Sequence, residues 1–219
     1  MKFKTDTNLN RFISYTYALF AEHSILNIFW KNFHQIENNL YRSAQVNPIT
    51  LKRYIKKYNL KEIISHRAEG KKSPLSIFER EICEEHGVKF QHVHLRSRLI
   101  PTKEKLIELK KVFENIQKPA LIHCKAGADR TSLAAIIYLY FKGEDLQDAV
   151  KNHLSFWKYG HMKHSDAGII DFYFEEFIKS GEKDLIEWTD KNHARLEDEF
   201  KSRKNRFWNF INNKILKRE

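Results

Sequence analysis

Residues 119–141 read PALIHCKAGADRTSLAAIIYLYF, and three kinds of chemistry follow one another within them. Ala120 to Cys124 is a short apolar run after a proline, the pattern of a strand buried on both faces. Lys125 to Arg130 is small and polar, with Gly127 letting the backbone turn closely. Ser132 to Phe141 is almost wholly apolar, as in a helix surrounded by core. A strand that turns straight into a helix offers backbone N–H groups and the positive end of the helix to whatever occupies the turn. Lys125, Ala126, Gly127, Ala128, Asp129 and Arg130 are therefore predicted to cradle an anion. Arg130 adds a planar fork that grips two phosphate oxygens at once.

Cys124 stands at the floor of this turn. N–H dipoles, a helix N-terminus and a guanidinium make a setting that suits a nucleophilic thiolate. Beneath a bound phosphoryl group, such a thiolate is placed for in-line attack. The reading assigns Cys124 as nucleophile and Arg130 as the phosphate grip, with Lys125, Ala126, Gly127, Ala128 and Thr131 around the substrate. Thr131 is expected to hydrogen-bond the thiolate, and His123 to orient the loop through buried hydrogen bonds. A Cys and an Arg six residues apart recur by accident. Adding His123, Gly127 and Thr131 brings the odds to on the order of one in ten thousand per cysteine. The bland alternative is a core cysteine in an ordinary strand–helix turn.

HCKAGADRT resembles the His-Cys-x5-Arg-Thr signature of the protein-tyrosine and dual-specificity phosphatase superfamily. The wider chain is similar to small bacterial tyrosine-phosphatase-like proteins. NFHQIENNLYRSAQ resembles their opening segment, IISHR the strand after it, and SFWKYGHMKH a downstream helical segment, so the likeness runs from about residue 20 to about residue 175. It implies a phosphatase-like α/β fold, phosphomonoester hydrolysis without metal or cofactor, and a cysteinyl-phosphate intermediate on Cys124. Implied substrates are phosphotyrosine or mixed phosphoproteins, with phosphoinositides or inositol phosphates as the alternative.

The chain departs from that family in its general acid. Relatives carry an Asp on a loop after the strand preceding the signature, but Leu95 to Pro101 has no carboxylate, and Glu104 lies further on in a predicted helix. The resemblance offers Asp129 instead, because the Asp-Arg-Thr ending is similar to that of myotubularin-like lipid phosphatases, whose loop Asp has an acid role. A helix cap is the competing reading of Asp129. His92 and His94 are expected to be structural, while Arg96 and Arg98 either rim the pocket or are solvated surface. Lys125 matches a basic position of phosphoinositide phosphatases and is equally well a surface lysine. A missing acid also leaves open a phosphate binder without turnover, and sulfur transfer is a remoter possibility.

Composition sets the frame. With 219 residues, 42% hydrophobic and 31% charged, the chain reads as one folded domain with peripheral additions rather than a disordered protein. Its two cysteines, Cys83 and Cys124, exclude a disulfide framework and suit a reducing compartment, so a cytoplasmic location is expected. A net charge of +11 points to anionic partners: phosphorylated substrates or, peripherally, an acidic membrane. Specific nucleic-acid binding is not expected, since the basic residues are scattered. The sequence carries no signal of oligomeric state.

Strands alternating with helices imply a mainly parallel central sheet flanked by helices. Strands are predicted near Leu40, over 61–67, 88–95 and 120–124, and helices over 50–58, 75–86, 101–116 and 132–141, with 68–74 a loop. Residues 1–35 are read as an amphipathic helical segment (one helix from Phe12 to Trp30), 36–180 as the phosphatase domain, and 181–219 as a helix packed on it. In that last helix Leu196, Phe200, Phe207, Ile211 and Ile215 make an apolar stripe opposite Lys201, Arg203, Lys204 and Arg206.

Overall fold

The computed structural model describes residues 3, 5–20, 24–68 and 73–214, the last eleven as backbone only. Five strands form one sheet in the order β1-β2-β5-β3-β4. They are β1 (His34–Glu37), β2 (Leu40–Ala44), β3 (Glu62–Ser65), β4 (Lys89–His92) and β5 (Ala120–Cys124). Only the β1–β2 pair is antiparallel; β2–β5, β5–β3 and β3–β4 are parallel. The expected mainly parallel sheet flanked by helices is the fold the chain forms. Every residue of β5 is buried, which explains the apolar run from Ala120 to Ile122.

The central place of β5 positions the site. Strands β2 and β3 follow one another in sequence yet flank β5 in space. Their separation opens a crevice at the C-terminal end of the sheet, where ligands of open α/β folds bind. Cys124 ends β5 at that crevice, in register with Ala44 of β2. Helix α6 (Asp129–Phe141) starts five residues later, and Thr131 through Tyr138 are all buried. That agrees with a helix apolar on all sides.

Helices α3 (Pro48–Tyr58) and α4 (Pro74–Glu85) pack together on one face of the sheet. Asn47 caps α3 by accepting from Thr50 N, and Asn59 ends it in a left-handed conformation. Leu51 and Ile55 of α3 and Ile82 and Cys83 of α4 join Ile63 and Leu121 of the sheet in one apolar cluster. Burial, with Glu79 nearby, pushes the Cys83 thiol up to about 12, which marks it as a packing residue. Phe33, Tyr41, Tyr54 and Tyr58 close the edge of this cluster.

The N-terminal segment corrects the expected single helix over 12–30. Helix α1 (Asn8–Phe20) and the one-turn α2 (Leu26–Phe29) are separate. Ser24 folds back onto the end of α1: its hydroxyl donates to Ala18 O at 2.6 Å and its amide donates to the same carbonyl at 3.3 Å. A hydroxyl that satisfies the last carbonyls ends a helix that apolar spacing alone would continue. Residues 21–23 of the expected helix, 69–72 of the expected 68–74 loop, and the side chains from Lys204 onward lie outside the described residues.

The remaining helices are α5 (Lys103–Glu114), α7 (Leu146–His153), α8 (Phe156–Tyr159), α9 (Ile169–Ser180) and α10 (Leu185–Lys214). Of SFWKYGHMKH only Phe156–Tyr159 is helical, because Gly160 at φ +77° ends the turn. Two compact units divide the chain, one comprising Met1–Leu95 with Glu108–His161 and the other Arg96–Ile107 with Met162–Glu219. In the second unit α9 and α10 pack through Phe177 on Trp188 (5.1 Å) and Phe172 on Phe200 (5.7 Å), and Tyr173 bonds Thr189 at 2.6 Å. No helix among the described residues is long and apolar enough to cross a membrane.

Candidate active site

Cys124 is buried at the end of β5, and the loop 125–128 arches over it into α6. Gly127 has φ +70°, and a Cβ there would lie 2.6 Å from Ala44 N and Ser43 C. No other residue fits, so the glycine is fixed both by conformation and by the approach of β2.

Three side chains from the first part of the chain hold the loop from outside. Asn27 Nδ2 donates to Lys125 O at 2.9 Å, and Asn32 Nδ2 to Ala126 O at 3.0 Å. Arg42 Nη2 donates to Gly127 O at 2.7 Å and to Ser132 Oγ at 2.8 Å. Three consecutive carbonyls are thus turned outward. The backbone N–H groups from Ala126 to Arg130 pair with no carbonyl of the described residues. Turned-out carbonyls and unpaired N–H groups are the two halves of an anion nest.

Arg42 is fully buried, an unusual place for a guanidinium. Beyond its loop bonds, Nη1 lies 3.0 Å from His153 Nδ1 and the ring of Tyr159 is 3.7 Å from the guanidinium carbon. Burial brings its pKa down to about 10, opposed by Tyr159 and Cys124, so it remains a cation at neutral pH. His153 is pushed down to about 4 by burial and then by Arg42, and so stays neutral and accepts the guanidinium hydrogen.

Two histidine–carboxylate pairs flank the loop. His123, before Cys124, sets Nδ1 3.3 Å from Cys124 O and Nε2 3.0 Å from Glu79 Oε1, an ion-pair distance with off-line hydrogen-bond geometry. Glu79 also accepts from Gln45 Nε2 at 2.9 Å, and Gln45 accepts from Arg67. His123 thereby stands between the buried Glu79 carboxylate and the Cys124 carbonyl at the base of the loop. Asp129 is the first residue of α6; the cap position belongs to Ala128, which makes no side-chain cap bond. The Asp129 carboxylate instead lies 2.7 Å from His161 Nδ1 and is partly exposed beside the loop.

Arg130 is half-buried and donates to His66 O at 3.4 Å. Lys125 and Ala126 are exposed at the mouth, while Gly127 and Ala128 are buried beneath it. Thr131 is fully buried, and its hydroxyl has no hydrogen-bond partner among the described residues.

The tyrosine phosphatase family matches residues 27–191, most of the chain. The chain belongs to that family. The structure is similar to TpbA of P. aeruginosa, 20% identical, covering 74% of this chain and 91% of that one at TM-score 0.51. The catalytic core of the PP-IP phosphatase SIW14 from S. cerevisiae, in complex with citrate, is 19% identical and covers 69% of this chain and 90% of its own at TM-score 0.53. At such identities the likeness is one of fold. No curated protein matches the sequence.

The other candidate residues find separate places. Glu104 falls in the first turn of α5, its carboxyl held below the usual range by its own backbone N–H and Thr102. Arg98 lies 3.6 Å from Asp166 within the second unit. His92 packs edge-on against Phe90 at 5.0 Å. No group of three His, Cys, Asp or Glu among the described residues is arranged to hold a metal ion. Arg42, Asn27 and Asn32 were missed from sequence. The signal was present in LYRSAQV, where an arginine and a glutamine interrupt an apolar strand and so demand buried partners.

Proposed function

We propose that this phosphatase hydrolyses phosphomonoesters on phosphotyrosine or mixed phosphoprotein substrates through a cysteinyl-phosphate on Cys124. The observation that carries the reading is the outward tethering of the Lys125, Ala126 and Gly127 carbonyls above the buried thiol. The N–H groups so freed, with the Arg130 guanidinium, bind the phosphoryl oxygens and follow their charge through the transition state. Sγ of Cys124 attacks phosphorus as the bond to the leaving oxygen breaks. Asp129 gives its proton to that oxygen. His161 holds Oδ1 of Asp129, which leaves Oδ2 for the proton in transit. Water then attacks phosphorus, Asp129 takes a proton from it, and the S–P bond breaks. Inorganic phosphate departs, the thiolate returns, and Asp129 is again protonated. The buried Thr131 hydroxyl is the donor available to the departing sulfur.

Exposed Lys125 at the loop mouth favours a second reading, a phosphoinositide or inositol-phosphate substrate with a further phosphate beside the first. Cys124→Ser is expected to abolish vanadate-sensitive hydrolysis of an aryl phosphate while phosphate still protects the folded protein. Hydrolysis that persists in the variant would remove Cys124 from the mechanism. Absence of turnover in the unsubstituted protein on phosphotyrosine peptides and inositol phosphates alike would leave a phosphate binder.

A further inference from the structure

Helix α1 is built inside out. Its buried positions are Ser14 and Ala18, small residues one turn apart. Through Ala18, with Tyr15 beside it, the helix packs on Leu75 and Phe78 of α4. Its large apolar residues face the other way: Leu9 is 67% exposed, Phe12 68%, and Phe20 64%, with Ile13 among them. The spacing of these four places them on one side of the helix. The segment after it continues the pattern, with Leu26, Phe29 (87% exposed) and Trp30 also uncovered. Isolated apolar residues on a surface need no explanation, but a contiguous run of this size does.

We propose that this face docks on an anionic lipid surface, with α1 lying in the headgroup region and Phe12, Phe20, Phe29 and Trp30 entering it. Charge and size favour that occupant. Residues 1–31 hold four Lys and Arg against two Asp and Glu in a chain of net charge +11, and Lys2, Lys4 and Lys31 flank the apolar run in sequence. Basic residues beside a membrane gain from acidic headgroups, and aromatic rings settle at the interface. The 13 residues of α1 present a strip about 20 Å long and about 10 Å wide, and the four of α2 add about 6 Å to its length. Such a strip falls well short of the roughly 800 Å² per partner that a stable protein interface buries. A bilayer needs no matching shape and accepts a strip of that size. Asn27, between Leu26 and Ile28, hydrogen-bonds Lys125 O of the phosphate loop, so docking here brings the loop mouth close to the lipid.

The test is vesicle co-sedimentation of the full chain, with phosphatidylcholine alone and with phosphatidylcholine plus phosphatidylglycerol. Binding is expected on the anionic vesicles, about tenfold or more above the neutral ones, and weakened by salt. Phe12→Ser, Phe20→Ser and Phe29→Ser together should lower it by about tenfold or more, while the thermal melt stays in place because all three side chains are exposed. Trp30 gives a second readout. Anionic vesicles should shift the tryptophan emission of the unsubstituted chain to the blue, and the shift should shrink in Trp30→Phe. No binding to anionic vesicles, binding indifferent to the triple substitution, or an emission shift unchanged by Trp30→Phe would overturn the proposal. So would a solution dimer that the triple substitution converts to monomer, since a second copy would then be what covers the face.

Discussion

The two histidine–carboxylate pairs beside Cys124 have the same composition and opposite settings. Glu79–His123 is sealed, its side chains 3% and 1% exposed. Asp129–His161 keeps its histidine at 2% but leaves its carboxylate at 30%. A sealed pair holds geometry: Glu79 is committed on one side to Gln45 and on the other to His123, which in turn meets the carbonyl of Cys124. A pair open on the carboxylate side has the solvent access that the acid role proposed for Asp129 requires. Residue type alone does not separate the two pairs at this loop; exposure of the carboxylate does.

Asp129→Asn attacks the open pair and carries the largest expected effect among the partners of these histidines. Turnover of alkyl phosphates, whose leaving group needs a proton, should fall by about 10² to 10³, while activated aryl phosphates lose far less. Steady-state rates on the two substrates decide it; an equal loss on both would make Asp129 a structural partner like Glu79. Glu79→Gln attacks the sealed pair. Its amide oxygen can still accept from Gln45, but the carboxylate charge 3.0 Å from His123 is lost from a sealed site, so about 1–3 kcal/mol of stability should go. Turnover should drop by about tenfold or less, and to the same extent for both leaving groups. A leaving-group dependence in Glu79→Gln would erase the distinction between the pairs.

The contrast also marks what sequence can carry. Cys124, Arg130, the glycine between them and the strand and helix on either side are consecutive in the chain, so local pattern and chemistry agree within a few residues. The side chains that shape the loop are not consecutive with it. Arg42 reaches Gly127 across 85 positions and Asn27 reaches Lys125 across 98. Their roles exist only once β2 pairs in parallel with β5, Arg42 opposite Ile122 and Ala44 opposite Cys124. His161 lies within SFWKYGHMKH, for which the resemblance implies a helical segment. Its bond to Asp129 depends on Gly160 ending that helix early, which the spacing of apolar residues does not reveal. The break between α1 and α2 escaped for a similar reason, since a serine hydroxyl turned back on Ala18 decides it.

His153 is the third histidine near the loop and sharpens the comparison, because its partner is a cation. Facing Arg42 at 3.0 Å and out of water, it is held neutral, with a pKa of about 4 against an ordinary 6.5. Since the folded protein binds this proton less readily than the unfolded chain, the stabilisation is complete above about pH 6.5 and is lost as pH falls toward about 4. The loss from this group comes to about 3 kcal/mol across that window. Its physical content is a charge forced out of water and then against the Arg42 guanidinium, which also carries Gly127 O. His153→Gln supplies an amide oxygen to the same N–H and does not titrate, so its unfolding free energy should vary less between about pH 6.5 and about pH 4.5. Urea midpoints of the two proteins at both ends of that range check this, and turnover near neutral pH should change least of all the substitutions. Parallel pH dependence in the two proteins would mean that acid reaches the fold elsewhere, with the carboxylates of the other pairs next to be tested.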